Sequence, residues 1–323
     1  MHTPFEIYWI SLDSIDSRDL DFQVSSEKDD SALKRSVESL GLINPPLVQE
    51  KGGGMHRIIS GFRRVAVCRS LDMRRIQAMI VDPLTPHQEC AMLAVAENAG
   101  QRELGLLEMS RALALIGPGI PWQDRVSMIM DALFLDEAPN QRYMEQVESL
   151  CSMAPEIQAG VEDATIAFPV ALKLQAMAPG EALAFAEVFR RLGLSLGKQR
   201  EILTLVKEIA ARDDLSCKDV LESAEISAFL EDKDRDLNLK SREVREFLKQ
   251  RRFPHITKAQ EAFETEVQGL NLPKGVRLEP PAHFEGQVYE LKFSFKNVND
   301  LIKNHNVIIE VAEKPGLRKI LDR

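Results

Sequence analysis

The first hundred residues alternate between strand-like and helix-like hydrophobic patterns. Extended apolar runs predict strands at 6–11, 45–50, 55–61 and 75–83, and the glycines of "KGGG" predict a hairpin between the middle two. Helical spacing of apolar residues predicts helices at 29–42 and 62–72. Residues 1–100 are therefore predicted to form a small mixed α/β domain.

The predicted secondary structure changes twice in the rest of the chain, first to helices and then to a mixture of strands and helix. Helices are predicted at 86–98, 105–116, 121–134, 140–152, 165–177, 180–192, 197–212 and 216–230. After them the charged segment 231–254 is predicted to be a linker running into a helix. Two strand patterns follow, the second placing Tyr289, Leu291, Phe293 and Phe295 on one face, and a last helix at 299–314 is expected to cover that face.

These patterns predict an α+β multidomain protein. Its all-α middle domain is assigned to residues 101–235 and a small α+β domain to residues 236–323. The terminal strand set is too small to be stable alone, so we expect it to pair with a second copy of the chain as a homodimer.

Composition narrows the class of protein. The 323 residues carry a formal net charge of -9, which argues against a protein coated with basic charge. No apolar run approaches the roughly 18 residues of a membrane span, and the start of the chain lacks a secretory pattern, so a cytoplasmic protein without a membrane partner is predicted. The four cysteines lie far apart and are predicted to be reduced and mostly buried.

Positive charge is nevertheless concentrated in "HRIISGFRRVAVCRSLDMRR", residues 56–75. Gly61 lies at a predicted strand-to-helix junction, where a ligand can approach the backbone and the helix start favours anions. Arg63 and Arg64 follow at once, and guanidinium groups suit phosphate oxygens. The alternative is a solvated helix start with surface arginines.

Five segments in order resemble the amino-terminal domain of the ParB family of chromosome and plasmid partition proteins. They are "ISLDSI", "LKRSVESLGLINPPLVQE", "HRIISGFRRVAVCRSL", "IQAMIVD" and "AMLAVAENAGQREL". The resemblance implies a sulfiredoxin-like fold that binds CTP with magnesium, in a dimeric clamp that entraps DNA, is nucleoid-associated and works with a ParA-like ATPase. It also implies a helix-turn-helix middle domain and a dimerising carboxyl domain.

The family's nucleotide segments correspond to particular residues here. Asn44, Pro45 and Pro46 match the segment implied to lie near the cytosine ring, and Gly61, Arg63 and Arg64 match the phosphate segment. Phe62 replaces the family's acid in that segment, and a phenylalanine positions neither water nor metal. Nucleotide binding is therefore expected more firmly than CTP hydrolysis.

The third segment begins with Glu97 and Asn98, which the resemblance implies hold magnesium and the phosphates, with Glu97 as the catalytic residue of any hydrolysis. Gln101 and Arg102 are displaced by one residue from the family's phosphate-contacting positions, and a bulge at Gly100 would restore them. The alternative for Glu97 and Asn98 is an ordinary helix end with an asparagine cap.

A helix starting at Asn140 would present Gln141, Arg142 and Tyr143 to DNA bases, although simple helix packing explains the same pattern. The basic segment 240–253 is either a DNA-facing helix or a solvated linker helix. Two functions remain open: a CTP-binding DNA clamp, or a regulatory protein that keeps the fold but has lost hydrolysis, specific DNA recognition, or both. A nuclease is not favoured, because no clustered acid and histidine set is visible.

Overall fold

A computed structural model describes residues 5–26, 30–117, 119–272, 275–281, 284 and 286–321. The chain divides into two compact units, Met1–Arg190 and Arg191–Arg323. The predicted fold class is confirmed: the first unit opens with a mixed α/β domain, and helices dominate the rest of the chain. The predicted boundary between residues 235 and 236 lies inside the second unit.

A five-stranded mixed sheet organises the amino-terminal domain. Its strands are β1 (Ile7–Ser11), β2 (Ile15–Asp16), β3 (Leu47–Gly52), β4 (Met55–Ser60) and β5 (Arg75–Val81). Their order is β1-β5-β3-β4-β2, with β3 parallel to β5 and antiparallel to β4. The predicted hairpin between β3 and β4 is present, and its three glycines have positive φ.

Helices cover both faces of this sheet. They are α1 (Ser31–Leu40), α2 (Phe62–Ser70) and α3 (His87–Ala99). On one face Val37 of α1 and Val65 of α2 pack with Ile58 and Ile76 of the sheet. On the other face the small residues of α3, such as Ala94, pack against Leu47, Ile59 and Val81. Along β4 successive side chains alternate between the two faces of the sheet, so Ile58 packs on one face and Ile59 on the other.

The remaining helices of the first unit form a bundle. They are α4 (Leu106–Leu115), α5 (Trp122–Leu133), α6 (Gln141–Ser149), α7 (Pro155–Glu162) and α8 (Phe168–Gln175). Helix α9 (Pro179–Leu192) follows, and the division between the two units falls near its end. Arg125 is buried among α4, α5 and α6, where its guanidinium donates to the Leu113 and Ile116 carbonyls and pairs with Glu148. One buried cation thus satisfies carbonyls at the end of α4 that the helix itself leaves open.

The second unit consists of helices and a two-stranded sheet. Its elements are α10 (Leu196–Asp213), α11 (Cys217–Leu221), α12 (Ala224–Glu231), α13 (Leu237–Arg252), α14 (Pro254–Gly269), β6 (Val276–Glu279), β7 (Glu290–Phe293), α15 (Val298–Glu313) and α16 (Pro315–Leu321). Tyr289 stacks on Phe263 with ring centroids 6.0 Å apart and joins a cluster that contains Val311 of α15. Tyr289 therefore belongs to the same apolar cluster as Val311 of the last long helix, whereas Phe295 remains 53% exposed.

Four helix assignments differ from the sequence prediction. The predicted helix at 216–230 is two helices, because the Ser216 side chain caps α11 and a second helix restarts after Ser223. Helices α7, α14 and α16 were not predicted. Each begins with a proline, which signals a helix stop when it follows a helix but also suits the first helical position.

Candidate functional site

Gly61 joins β4 to α2 in a conformation that other residues rarely adopt. Its φ is +96°, and a Cβ at this position would lie 2.9 Å from Pro46 Cβ and 3.0 Å from Pro46 Cα. The backbone of the turn therefore lies directly against Pro46, where β3 begins. Because glycine has no side chain, the turn can bring two of the three predicted nucleotide segments into direct contact.

Arg64 links all three segments. Its Nη1 atom donates to the carbonyl oxygens of Asn44 and Pro45, both at 3.2 Å. Its Nη2 atom donates to Glu97 Oε1 at 2.6 Å. The Arg64 side chain is only 14% exposed, so the pair with Glu97 is shielded from solvent.

The Glu97 carboxylate collects donors from three directions. Besides Arg64, Gln101 Nε2 donates to Oε1 and Ser60 Oγ donates to Oε2. Asn98 Nδ2 donates to Ser60 Oγ at 3.3 Å and to the Ala94 carbonyl. The carboxylate is therefore the centre of a connected polar cluster, which we call the Glu97 cluster, made of Ser60, Arg64, Glu97, Asn98 and Gln101.

Ser60 is the member of the Glu97 cluster that sequence reasoning missed. It is 1% exposed at the end of β4, immediately before Gly61. The sequence could have pointed to Ser60, because it is a hydroxyl at a strand position predicted to be buried, next to the glycine turn at residue 61. Buried polar side chains almost always have a polar partner.

Arg63 is directed to a different neighbour from Arg64. Its Nη2 atom lies 2.5 Å from Asp30 Oδ1, and the side chain lines a cavity of about 630 Å³ with Gln23, Phe62 and Arg69. Adjacent helical residues point about 100° apart, which separates the two arginines. The structure thus brings Gly61 and Arg64 to the Glu97 cluster and places Arg63 beside this neighbouring cavity.

The bulge expected at Gly100 is absent. Gly100 has right-handed helical angles, with φ -71° and ψ -17°, and its N–H donates to the Ala96 carbonyl at 2.8 Å. Because Gly100 is the C-cap of α3 and keeps right-handed helical angles, Gln101 lies one turn after Glu97 and reaches it. Arg102 instead makes two hydrogen bonds of 2.6 Å to Glu108 and lies outside the Glu97 cluster.

Glu108 anchors the start of α4 to the preceding loops. Its side chain is 1% exposed and accepts hydrogen bonds from Arg102 and from the backbone N–H groups of Ser26 and Gly105. Burial alone raises the pKa of a carboxyl group, but these donors stabilise the anion more strongly and lower the pKa of Glu108 to about 2. Glu108 is therefore ionised throughout the neutral range.

Phe62 contributes to packing. Phe62 is partly buried and packs against the apolar clusters on both faces of the sheet, so an apolar contact stands at the position where the resemblance implies an acid. Cys68 of α2 is fully buried, and burial raises the pKa of its thiol, which makes thiolate chemistry unfavourable. All four cysteines are free thiols, and only Cys151 is partly exposed, in agreement with the prediction.

The residues predicted to contact DNA lie together at the start of α6. Asn140 caps this helix by accepting a hydrogen bond from the Tyr143 N–H, and Gln141, Arg142 and Tyr143 are exposed. Two of them also have neighbours: Gln141 donates to Glu145 at 2.8 Å, and the edge of the Tyr143 ring meets Phe168 with centroids 6.4 Å apart. Their role in DNA recognition stays a prediction.

The basic helix α13 is one of the packed helices of the second unit and is not a solvated linker helix. It packs against α10, and its cations pair with α10 acids: Arg245 and Lys249 with Glu201, Arg251 with Asp213, and Arg252 with Glu208. Most of its positive charge is therefore neutralised within the second unit. The regular spacing of cations along the helix reflects this complementary packing.

Neither a clustered metal centre nor a membrane-spanning helix is found among the described residues. In that part of the chain, no group of three or more histidine, cysteine, aspartate or glutamate side chains is arranged to hold a metal ion. None of the helices there combines the length and apolarity that crossing a bilayer demands. A magnesium ion at Glu97 would thus need ligands beyond the protein's own carboxylates, as magnesium bound with nucleotide phosphates has.

Comparison with known families assigns the amino-terminal domain. Residues 5–99 match the family described as the ParB N-terminal domain. The chain therefore carries a ParB N-terminal domain over these residues, which confirms the recognition made from the sequence. The match ends at the last residue of α3, just before Gly100 and the loop to α4.

Similar solved structures have low sequence identity to the chain. The C-terminally truncated chromosome-partitioning protein ParB from Caulobacter crescentus complexed with CTP-gamma-S is 16% identical, with 57% of this chain and 98% of that chain covered and a TM-score of 0.27. The same protein complexed to the centromeric parS site is 16% identical over 59% and 95%, with a TM-score of 0.27. The C2221 form of a Pnob8-like ParB-N domain is 14% identical over 76% and 100%, with a TM-score of 0.29. No curated protein matches the chain.

Replacing Gly61 with alanine tests the turn. We expect Gly61→Ala to lower the free energy of unfolding by about 2 kcal/mol or more, because the new methyl group meets Pro46 and the positive φ adds strain. Gly53→Ala is the matched control, since Gly53 also has positive φ but faces open space. Urea unfolding measures both, and equal losses would contradict the close approach to Pro46.

Acid titration tests the anchor at Glu108. Since the folded-state pKa is lowered, the stabilisation is present above the unfolded value of about 4.5 and is lost as the pH falls towards 2. Glu108→Gln should therefore cost about 2 kcal/mol at pH 7 and less at pH 3. Glu103→Gln, a nearby exposed acid, should change stability by less than about 0.5 kcal/mol at either pH. A cost for Glu108→Gln that does not depend on pH would contradict the assignment.

Proposed function

We propose that this chain is a CTP-binding, DNA-binding partition protein that acts as a dimeric clamp on DNA in chromosome or plasmid segregation. The observation that carries the proposal is the convergence of three distant segments on Arg64 within a ParB N-terminal domain. Asn44 and Pro45, Ser60 to Arg64, and Glu97 to Gln101 are far apart in the sequence. At their meeting point a cation, a helix start and a carboxylate lie together, which suits a metal-bound triphosphate.

The proposed roles follow the chemistry of each group. Gly61 and the start of α2 would hold phosphate, since the positive end of the helix dipole favours an anion there. Arg63 and Arg64 would supply charge from the two sides of the helix start. Asn44, Pro45 and Pro46 would line the cytosine ring, with Arg64 fixing the carbonyls of the first two.

Magnesium fits the Glu97 cluster in a limited way. A carboxylate offers about four lone-pair positions. Arg64, Gln101 and Ser60 occupy three of them here, so one remains for a metal ion. Glu97 with the Asn98 side-chain oxygen would hold the ion through one or two protein ligands, and the phosphates would provide the rest.

Hydrolysis of CTP is the weaker part of the proposal. Glu97 is the proposed catalytic residue, but Arg64, Gln101 and Ser60 already donate to its carboxylate, which leaves it little capacity to accept a proton from water. Phe62 offers no replacement, because a phenyl ring cannot take up a proton from water. Arg102 is held by Glu108 and would serve as a positioning residue for α4. We therefore propose tight nucleotide binding with slow turnover.

DNA contact would be made by Gln141, Arg142 and Tyr143 at the start of α6. Side chains near a helix start can reach base edges when the helix enters the major groove. Glu145 and Glu148 on the same helix would repel phosphates, so the orientation of the helix has to keep them away from the backbone. A ParA-like ATPase is the proposed protein partner in segregation.

The second unit would supply the dimer contact. Val298, Ile302 and Ile309 recur along α15 at spacings of four and seven and are 70%, 55% and 49% exposed. On the same helix, Val311 faces the unit's own core at 3% exposure. A helix with a second apolar stripe is suited to pack against an identical helix, since sustained spacing of this kind forms a helix–helix seam.

A regulatory protein with the same fold is the second candidate. Three observations favour it: Phe62 in place of an acid, Arg102 directed to Glu108, and the neutralised cations of α13. In this alternative the nucleotide is still bound, but the chain has lost hydrolysis, specific DNA recognition, or both.

Calorimetric titration of CTP with Mg²⁺ tests the nucleotide proposal. We expect selective binding over ATP, GTP and UTP, and Arg64→Ala should weaken CTP binding at least tenfold because it removes a charged phosphate contact. Glu97→Gln should bind CTP more tightly than the parent chain without Mg²⁺, since Arg64 is released from its ion pair, but should gain little from added Mg²⁺.

Arg74→Ala is the control for charge, because Arg74 is an exposed arginine of the same basic stretch. It should leave CTP affinity within about twofold. Absence of binding by every nucleotide would refute the proposal. CTP binding without DNA binding in a gel shift at low salt would support the regulatory candidate.

Sedimentation analysis tests the dimer. The full chain should sediment as a dimer, and Ile302→Glu with Ile309→Glu should give monomers with an unchanged CTP affinity, because charges in an apolar seam repel. Glu310→Lys, on an exposed position of the same helix, is the matched control and should remain dimeric. A parent chain that is monomeric at micromolar concentration would contradict this part of the proposal.

A further inference from the structure

Strand β1 forms one edge of the five-stranded sheet. It pairs with β5 on one side only, and no other strand in the described ranges pairs with its outer side. Edge strands present unpaired backbone donors and acceptors to solvent, and proteins usually protect them with charge, proline or a covering segment. Here Ile7, Tyr8 and Trp9 are consecutive and are 55%, 50% and 58% exposed.

The register of β1 shows which backbone groups face outward. The Ile80 N–H donates to the Glu6 carbonyl, and the Leu12 N–H donates to the Arg74 carbonyl. Even-numbered residues of β1 therefore face β5, and Ile7 and Trp9 direct their N–H and carbonyl groups away from the sheet. Among the described residues, the outward Trp9 carbonyl accepts from Arg75 Nη2 at 3.1 Å, while the two outward N–H groups have no hydrogen-bond partner.

A groove of about 970 Å³ adjoins this edge. Its apolar lining comes from β1, β5, α3 and α5 and includes Phe5, Tyr8, Ile80, Met92 and Leu93. Its charged lining is entirely acidic: Glu6, Asp82, Glu89 and Asp131, with no lysine, arginine or histidine among the described residues that line it. A lining of apolar and acidic side chains is complementary to an apolar segment that carries positive charge.

We propose that this edge binds an extended peptide of apolar and basic residues from a partner protein. The peptide would add a strand to β1 through the outward groups of Ile7 and Trp9. Successive side chains of a strand point to opposite faces, so every second residue would face the groove. Among these residues, apolar side chains would meet Met92 and Leu93, and basic side chains would meet Glu89 and Asp131. This surface is separate from the Glu97 cluster, so the inference does not depend on the proposed nucleotide function.

Fluorescence anisotropy with the full-length protein tests the proposal. The probe is a labelled octapeptide in which two apolar residues, valine or leucine, alternate with two lysines, so that each face of the strand carries both kinds of side chain. The comparison peptide has glutamate in place of each lysine. The basic peptide should bind saturably and at least tenfold more tightly than the acidic one. Asp131→Lys should weaken its binding at least fivefold, because it places a cation in the acidic wall.

Ile7→Pro and Ile7→Thr form a matched pair for the backbone contact. Proline removes the outward N–H without removing a hydrogen bond to β5, so binding should fall at least tenfold, whereas threonine keeps the N–H and should stay within about twofold. If Ile7→Pro does not fold, a basic peptide N-methylated at alternate residues tests the same hydrogen bonds and should bind at least tenfold more weakly. Equal binding of both peptide charges, or no saturable binding of the basic peptide, would overturn the proposal.

Discussion

The contact between Gly61 and Pro46 is the constraint on which the candidate site depends. Any side chain at residue 61 would push the turn away from the start of β3, since its first carbon would lie 2.9 Å from the proline ring. With glycine in place, β4 enters α2 without a spacer and Arg64 comes within reach of Asn44, Pro45 and Glu97. The close approach of Gly61 to Pro46 therefore positions Arg64 to pair with Glu97.

The Arg64–Glu97 pair gives the site an internal counter-ion. Both side chains are mostly shielded, so each would leave an uncompensated charge if the other were withdrawn. An anionic ligand that takes Arg64 must therefore be accompanied by a cation for Glu97. A nucleotide with its magnesium ion meets both needs at once, whereas free phosphate meets one. For this reason a substitution of Glu97 is expected to change both the affinity for nucleotide and the dependence of that affinity on magnesium.

The net charge of -9 conceals a division between paired and unpaired charge. In α13 the cations are matched by acids of α10, so a basic run in the sequence becomes an electrically balanced helix contact. In the groove beside β1, the described lining residues include four acids and no cation. Local electrostatics therefore differ from what either total charge or linear charge runs indicate, because partners come from other elements.

The sequence by itself determined the order of most elements, the mixed α/β start, the hairpin glycines and the glycine turn at residue 61. These follow from local periodicity and from the conformational freedom of glycine, which act over a few residues. Only the tertiary structure decided that Ser60 supports Glu97, that Arg63 and Arg64 diverge, and that Gln101 joins the cluster while Arg102 turns to Glu108. Helix α14 was missed because Pro254 suits a helix start as well as a stop. Partner choice among polar side chains depends on distances between segments remote in the chain, and no local pattern encodes those distances.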